Sequence, residues 1–106
     1  MPVISGQLVL AAGAQRLSNL YGGASVGDAI VPALDVPLRQ VLLVAEGADA
    51  FLGATSATTS SAYGVKVDSA ENVPTPLGPF DNGGIKLSDV WVAGAGATLH
   101  VLGIVF

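Results

Sequence analysis

The sequence contains no cysteine, so neither disulfide bonds nor thiolate metal sites can contribute to its fold. Charged side chains are also scarce, since Asp, Glu, Lys and Arg together make up 11% of the 106 residues, against about 25% in ordinary soluble domains. Hydrophobic residues make up 51%. Because a soluble surface usually carries more charge than this chain can supply, we expect much of its surface to be covered by other protein subunits.

Several functional classes are disfavoured by what is missing. No run approaches the roughly 20 apolar residues that a membrane helix needs, and residues 1–6 lack the basic region that opens a signal peptide. The four basic residues (Arg16, Arg39, Lys66 and Lys86) are scattered along a chain of net charge −4, so no basic stripe can form for nucleic acid. We therefore expect neither a membrane nor a nucleic acid as a partner. The length fits one domain over residues 1–106.

Glycine and proline interrupt the chain every few residues, with 14 Gly and 6 Pro, which disfavours helices. Between these breaks lie short runs rich in Val, Ile and Leu, which are typical of strands. Such spacing occurs in sandwiches, jelly rolls and small barrels. We expect an all-β fold, a small antiparallel β-sandwich with jelly-roll-like topology and about eight short strands. The predicted strand segments are residues 3–10, 29–33, 38–46, 48–52, 64–67, 73–77, 85–87, 90–93 and 99–106.

Two of these strands carry apolar residues on both faces. Residues 41–44 are Val-Leu-Leu-Val. In the last strand one face has Leu99, Val101 and Val105, and the other has Leu102, Ile104 and Phe106. A sandwich strand whose outer face meets water normally has polar residues there. The pattern therefore predicts that a partner covers these strands.

No set of residues in the sequence has the composition and spacing of a catalytic or ligand-binding site. His100 is the only histidine and lies in an apolar strand, whereas a metal site or hydrolytic triad would need further partners beside it. Glu46 with Asp49, and Asp68 with Glu71, could pair as acid and base, but turn hydrogen bonds explain their positions better. We therefore expect no catalytic residue, no metal and no cofactor.

The loops allow two interpretations. Residues 54–62 form a small, uncharged Ser/Thr loop, which is either a solvated connection or a contact where small side chains permit close approach. The glycine-rich residues 22–27 lack the Lys-Ser/Thr ending of a phosphate loop. Residues 81–84 lack the further oxygen ligands of a calcium loop, and their Asn-Gly-Gly sequence predicts a tight turn with positive φ.

Several segments together resemble a known class of proteins. These are residues 6–18 (GQLVLAAGAQRLS), the apolar run 41–44, the AFLG of 50–53, the Ser/Thr loop ending in Tyr63-Gly64, residues 85–94 (IKLSDVWVAG) and residues 97–105 (ATLHVLGIV). This pattern resembles small virion proteins of tailed bacteriophages, among them capsid cement or decoration proteins. The resemblance implies a small β-sandwich or jelly roll that binds the outer capsid lattice as a dimer or trimer and reinforces it. Some similar short proteins belong to tails or fibres.

The sequence thus predicts a structural, non-enzymatic virion protein on the outer surface of the capsid. Its expected partners are the major capsid protein and itself, as a homodimer or homotrimer. The alternative is a tail- or fibre-associated carbohydrate-binding module, which would need exposed aromatics from a set of one Trp, two Tyr and three Phe. A lone strand tryptophan, Trp91, is expected in the core or at a protein contact. The predicted contact residues are Val3, Ile4, Leu8, Trp91, His100, Leu102, Ile104 and Phe106.

Overall fold

The structure, a computed structural model, describes residues 3–21, 36–70 and 74–106. Within these ranges the chain forms eight strands and two short 3-10 helices. The helices span Leu17–Tyr21 and Leu87–Asp89. The strands are β1 Val3–Val9, β2 Gln15–Arg16, β3 Leu38–Glu46, β4 Ala50–Gly53, β5 Val65–Val67, β6 Thr75–Leu77, β7 Trp91–Ala93 and β8 Thr98–Val105.

The strands form two antiparallel sheets of four, and their order confirms the predicted sandwich. The first sheet has the order β1-β8-β3-β6 and the second has the order β2-β7-β4-β5. β1 therefore pairs with β8, β2 with β7, β3 with β6 and β4 with β5. Strands β1 to β4 thus run antiparallel along strands β8 to β5, and this double ribbon alternates between the two sheets. That arrangement is the jelly roll.

The apolar runs in the sequence correctly predicted most of the strands. The predicted bounds of β3 agree with the structure, and β1, β4, β5, β6, β7 and β8 begin or end within two residues of their predictions. β1 lies at an edge of its sheet. The predicted strand at 29–33 lies outside the described residues. The two-residue strand β2 was not predicted, because Gln15–Arg16 is polar and too short to show an alternating pattern.

The predicted strand over residues 85–87 is wrong. Only Ile85 makes a bridge, to Leu38, and the chain then turns into the 3-10 helix Leu87–Asp89. The carboxylate of Asp89 accepts a hydrogen bond from the backbone N–H of Lys86 at 3.3 Å. This local side-chain bond favours a helical turn over a continued strand.

The core lies between the two sheets and is built almost entirely from leucine and valine. Strand alternation sends every second side chain inward, and the pairing aligns these positions in rows, such as Leu8 opposite Leu99 and Leu99 opposite Ala45. The largest apolar side chains that are fully buried are Leu8, Leu17, Leu38, Leu43, Leu87, Leu99, Val41, Val67 and Val92. With this core filled by the inner faces, the outer faces of the two sheets remain as surfaces for other molecules.

The turn at residues 81–84 has the backbone that the sequence predicted. Gly83 and Gly84 have φ values of +72° and +68°, a region that residues with a Cβ rarely adopt. The turn leads directly into the bridge between Leu38 and Ile85, whose two backbone hydrogen bonds measure 2.8 and 3.1 Å. It thereby closes one end of the first sheet.

Candidate interaction surface

The outer face of the first sheet is apolar across its middle. Paired residues in antiparallel strands point to the same side. The pairing places Ser5 of β1 opposite Leu102 of β8, Leu102 opposite Leu42 of β3, and Leu42 opposite Pro76 of β6. The residues on this side, here called the apolar face, are Val3, Ser5, Gln7, Gln40, Leu42, Val44, Pro74, Pro76, His100, Leu102 and Ile104.

This face exposes hydrophobic side chains where a solvated sheet would have polar ones. Val3 is 58% exposed and Leu102 is 38% exposed, while Leu42, Val44 and Ile104 are half-buried. A shallow groove of about 240 Å³ runs along Leu42, Val44, Pro74, His100 and Leu102. The two strands predicted to be apolar on both faces, β3 and β8, therefore form the centre of an exposed apolar surface.

Charged groups lie at the two ends of the apolar face. At one end β3 has a bulge between Leu38 and Gln40, and Arg39 is exposed there. At the other end Glu46 is exposed, and its Oε2 lies 2.9 Å from Nε2 of His100. This contact is an ion pair when the imidazole is protonated and a hydrogen bond when it is neutral. His100 thus has a carboxylate partner at the edge of the apolar face.

The predicted contact residues fall into different places. Val3, His100, Leu102 and Ile104 lie on the apolar face, and Phe106 follows β8 with 48% of its surface exposed. Ile4 points to the other side of β1 and packs against the core. The prediction of Leu8 as a contact residue is wrong. Its side chain is fully buried in the core and cannot touch a partner. Trp91 lies on the other sheet.

The outer face of the second sheet carries a cluster of aromatic and basic side chains. The guanidinium of Arg16 lies 4.8 Å from the ring centroid of Trp91, within cation–π range. Its Nη1 also donates a 2.7 Å hydrogen bond to the carbonyl of Ser88. Phe51 and Tyr63 pack with their ring centroids 4.9 Å apart. These aromatic and basic side chains are here called the aromatic face (Arg16, Phe51, Tyr63, Lys66 and Trp91). The sequence analysis did not predict that they lie on one face.

The Ser/Thr loop over residues 54–62 is held by its own hydrogen bonds. The carbonyl of Thr55 accepts bonds from the backbone N–H of Thr58 at 3.1 Å and from its hydroxyl at 2.7 Å. Thr59 and Ala62 exchange two backbone bonds of 3.0 and 3.2 Å. Thr58 is buried, while its neighbours in the loop are exposed. The loop and Tyr63 together line a depression of about 350 Å³ at the end of the aromatic face.

The acidic residues near β4 and β5 act as turn acceptors, as the sequence predicted. Oδ1 of Asp49 accepts hydrogen bonds from the backbone N–H and the hydroxyl of Ser69, at 2.9 and 3.0 Å. Its Oδ2 lies 3.5 Å from Nζ of Lys66. Asp68 accepts a 2.8 Å bond from the N–H of Ala70. Glu71, the other acid of this region, lies outside the described residues.

Asp49 makes the stability of the fold depend on pH in acid. The bonds from Ser69, assisted by the charge of Lys66, hold the pKa of Asp49 below its ordinary value of 3.8. A lowered pKa stabilises the fold fully above pH 3.8, and this contribution is lost as the pH falls through the folded-state pKa. Asp49→Asn should therefore be less stable than the parent at pH 7, with a gap that narrows in acid. Chemical denaturation across pH checks this, and a gap that does not change with pH would contradict it.

Comparison with known proteins finds no relative from which a function could be transferred: no family model, no curated protein and no solved structure matches the chain. In the part of the chain that the structure describes, no three His, Asp or Glu side chains come together in a group suited to a metal ion. Over the same residues, no helix has the length and hydrophobicity to cross a membrane. The two outer faces are therefore the candidate surfaces for function.

Proposed function

We propose that the chain is a structural, non-enzymatic protein of a virus particle, a capsid cement or decoration protein on the outer surface of the head. The observation that carries the proposal is the apolar face. A sheet that faces water is expected to have polar side chains on its outer side, whereas this one presents Leu42, Val44, Leu102 and Ile104 there. Such a surface is suited to permanent cover by protein.

The size of the molecule supports the same proposal. A standard protein interface takes about 800 Å² from each partner. Two such contacts, one with a twin and one with the shell, would cover roughly a third of the 5333 Å² of accessible surface. This accounts for a composition with only 11% charged residues. Many copies on a symmetric lattice also add avidity, so each contact can be modest.

The fold adds support without selecting the function by itself. Jelly rolls occur in viral capsid proteins and equally in lectins and cupins, so the fold is compatible with several functions. The segments that resemble bacteriophage virion proteins form much of the two sheets here. Residues 85–94 contain β7, and residues 97–105 contain β8, the strand at the centre of the apolar face. The resemblance therefore includes the surface on which the proposal depends.

Particles depleted of the protein test this proposal. We expect them to release their genome at lower temperature and after milder osmotic shock than complete particles, because the lattice loses its reinforcement. Adding the purified protein back should restore the resistance of the particles to heat and to osmotic shock. A particle reconstruction should show the density of the protein on the outer head, with the symmetry of the lattice.

Depleted particles that withstand heat and osmotic shock unchanged would contradict reinforcement. Density on the tail or fibres would instead favour the carbohydrate-binding alternative. In that case the aromatic face, where Tyr63 is 46% exposed, is the surface on which a sugar ring would stack.

A further inference from the structure

We infer that the apolar face binds the same face of a second copy, in a two-fold symmetric dimer. The symmetry axis runs across the strands, along the row formed by Ser5, Leu102, Leu42 and Pro76. This inference rests on the proposed function, because the dimer would form on the capsid, and it names the partner of the apolar face as a second copy of the chain. The face toward the shell is then a different part of the molecule.

The charge distribution of the face suits a two-fold dimer. In a two-fold interface a residue on the axis meets its own symmetry mate, and a contact of one residue with another is repeated in reverse, so a charge near the axis would face an identical charge. The middle of this side has no Asp, Glu, Lys or Arg: the central row is Ser, Leu, Leu and Pro, and Glu46, which lies opposite Thr98 on the same side, is at the end of β3. The chain as a whole carries a net charge of −4. Two copies can therefore approach through this face without placing like charges at its centre.

The charges at the two ends of β3 favour one orientation of the two copies. Arg39 is exposed at one end of β3 and Glu46 at the other. An axis that runs across the strands reverses the partner strand and brings each Arg39 toward the partner's Glu46. An axis parallel to the strands would place Arg39 near its own symmetry mate. Opposite charges at the rim fix the register of an interface, so they favour the axis across the strands.

The area of the face is sufficient for a specific dimer. Four strands spaced about 4.8 Å apart, with an average of about seven residues at about 3.4 Å per residue, cover roughly 450 Å² in projection. Side-chain relief raises the accessible area above this, so a dimer buries at least roughly 1,000 Å² in total, the lower bound for a specific interface. Packed sheets lie about 10 Å apart with strands within about 30° of each other. The dimer is thus reversible in solution and is strengthened where copies are concentrated on a lattice.

Sedimentation of the purified chain over a range of concentrations tests the inference, with Leu102→Asp compared with Tyr63→Asp as the control. The two parent side chains are 38% and 46% exposed, and Tyr63 lies outside the first sheet. We expect a concentration-dependent dimer for the parent and for Tyr63→Asp. Leu102→Asp should weaken it by at least about 100-fold, because two carboxylates would meet at the axis. A parent chain that stays monomeric, or equal weakening by both variants, overturns the inference.

A charge exchange at the rim tests the orientation with variants that leave the core untouched. Arg39→Glu alone should weaken the dimer by roughly fivefold, since each rim contact changes from attraction to repulsion. Adding Glu46→Arg should restore it, because the partner's position 46 is then basic. A double variant that dimerises no better than Arg39→Glu overturns the axis across the strands.

The same variants separate this inference from the proposed function. If the parent dimerises as described but does not bind depleted particles, the dimer holds and the capsid function fails. If the parent is monomeric and Leu102→Asp abolishes particle binding, the apolar face binds the shell and the dimer inference fails.

Discussion

Leu8→Ala should lower the free energy of unfolding by about 2–5 kcal/mol, the usual cost of removing a buried leucine side chain. Leu8 is fully buried and lies opposite Leu99, which in turn lies opposite Ala45 on β3. These three residues form one inward row across three strands of the first sheet. Because both strands beside the cavity are fixed by their pairing, the space cannot close by a simple shift. Chemical denaturation measures the loss.

Val9→Ala is the matched control for this change. Val9 follows Leu8 on the same edge strand, points to the opposite side and is 50% exposed. Its truncation should cost less than about 1 kcal/mol, since little buried area is lost. Similar losses for both variants would mean that β1 does not pack with the alternation described here. The comparison also tests whether Leu8 is a core residue, as the structure shows, and not the contact residue that the sequence predicted.

Gly84→Ala should destabilise the fold by about 2–5 kcal/mol through backbone strain and a backbone clash. Gly84 has a φ of +68°, and a Cβ at this position would lie 2.5 Å from the carbonyl oxygen of Leu38. That oxygen accepts the hydrogen bond from the backbone N–H of Ile85. The added methyl group therefore displaces the bridge between Leu38 and Ile85. The midpoint of thermal or denaturant unfolding measures the effect.

Gly83→Ala separates the effect of backbone strain from the effect of the steric clash. Gly83 has a similar φ of +72°, but a Cβ there would have no atom within 4 Å. Its replacement should therefore cost only the conformational strain, about 1 kcal/mol. The difference between the two variants measures the clash with the Leu38 carbonyl and the Phe106 ring, which we expect to add about 1–3 kcal/mol. Equal losses would mean that the turn relaxes away from the sheet.

Much of the fold could be predicted because strand patterns are local. The apolar run around Val41 marked β3, and the alternation after Leu99 marked β8 and its two apolar faces. Leu8 could also have been placed correctly. Ile4 and Leu8 share one side of β1, whereas Ser5 and Gln7 share the other, so the alternation already assigned Leu8 to the core side.

The composition of the surfaces could not be predicted in the same way, because it depends on register between distant strands. Leu102 lies opposite Leu42 although 60 residues separate them in sequence, and no local pattern sets that pairing. Phe51 and Tyr63 meet only because the loop between them folds back on its own hydrogen bonds. The 3-10 helix at Leu87–Asp89 follows from one carboxylate that competes with the strand propensity of its neighbours.

The position of β8 has a consequence for biosynthesis. β8 lies between β1 and β3 in the first sheet, yet it is the last of the described strands to be translated. A nascent chain that lacks residues 98–105 leaves β1 and β3 with unpaired edges, and exposed edges invite association with other chains. The first sheet can therefore close only after residues 98–105 have left the ribosome.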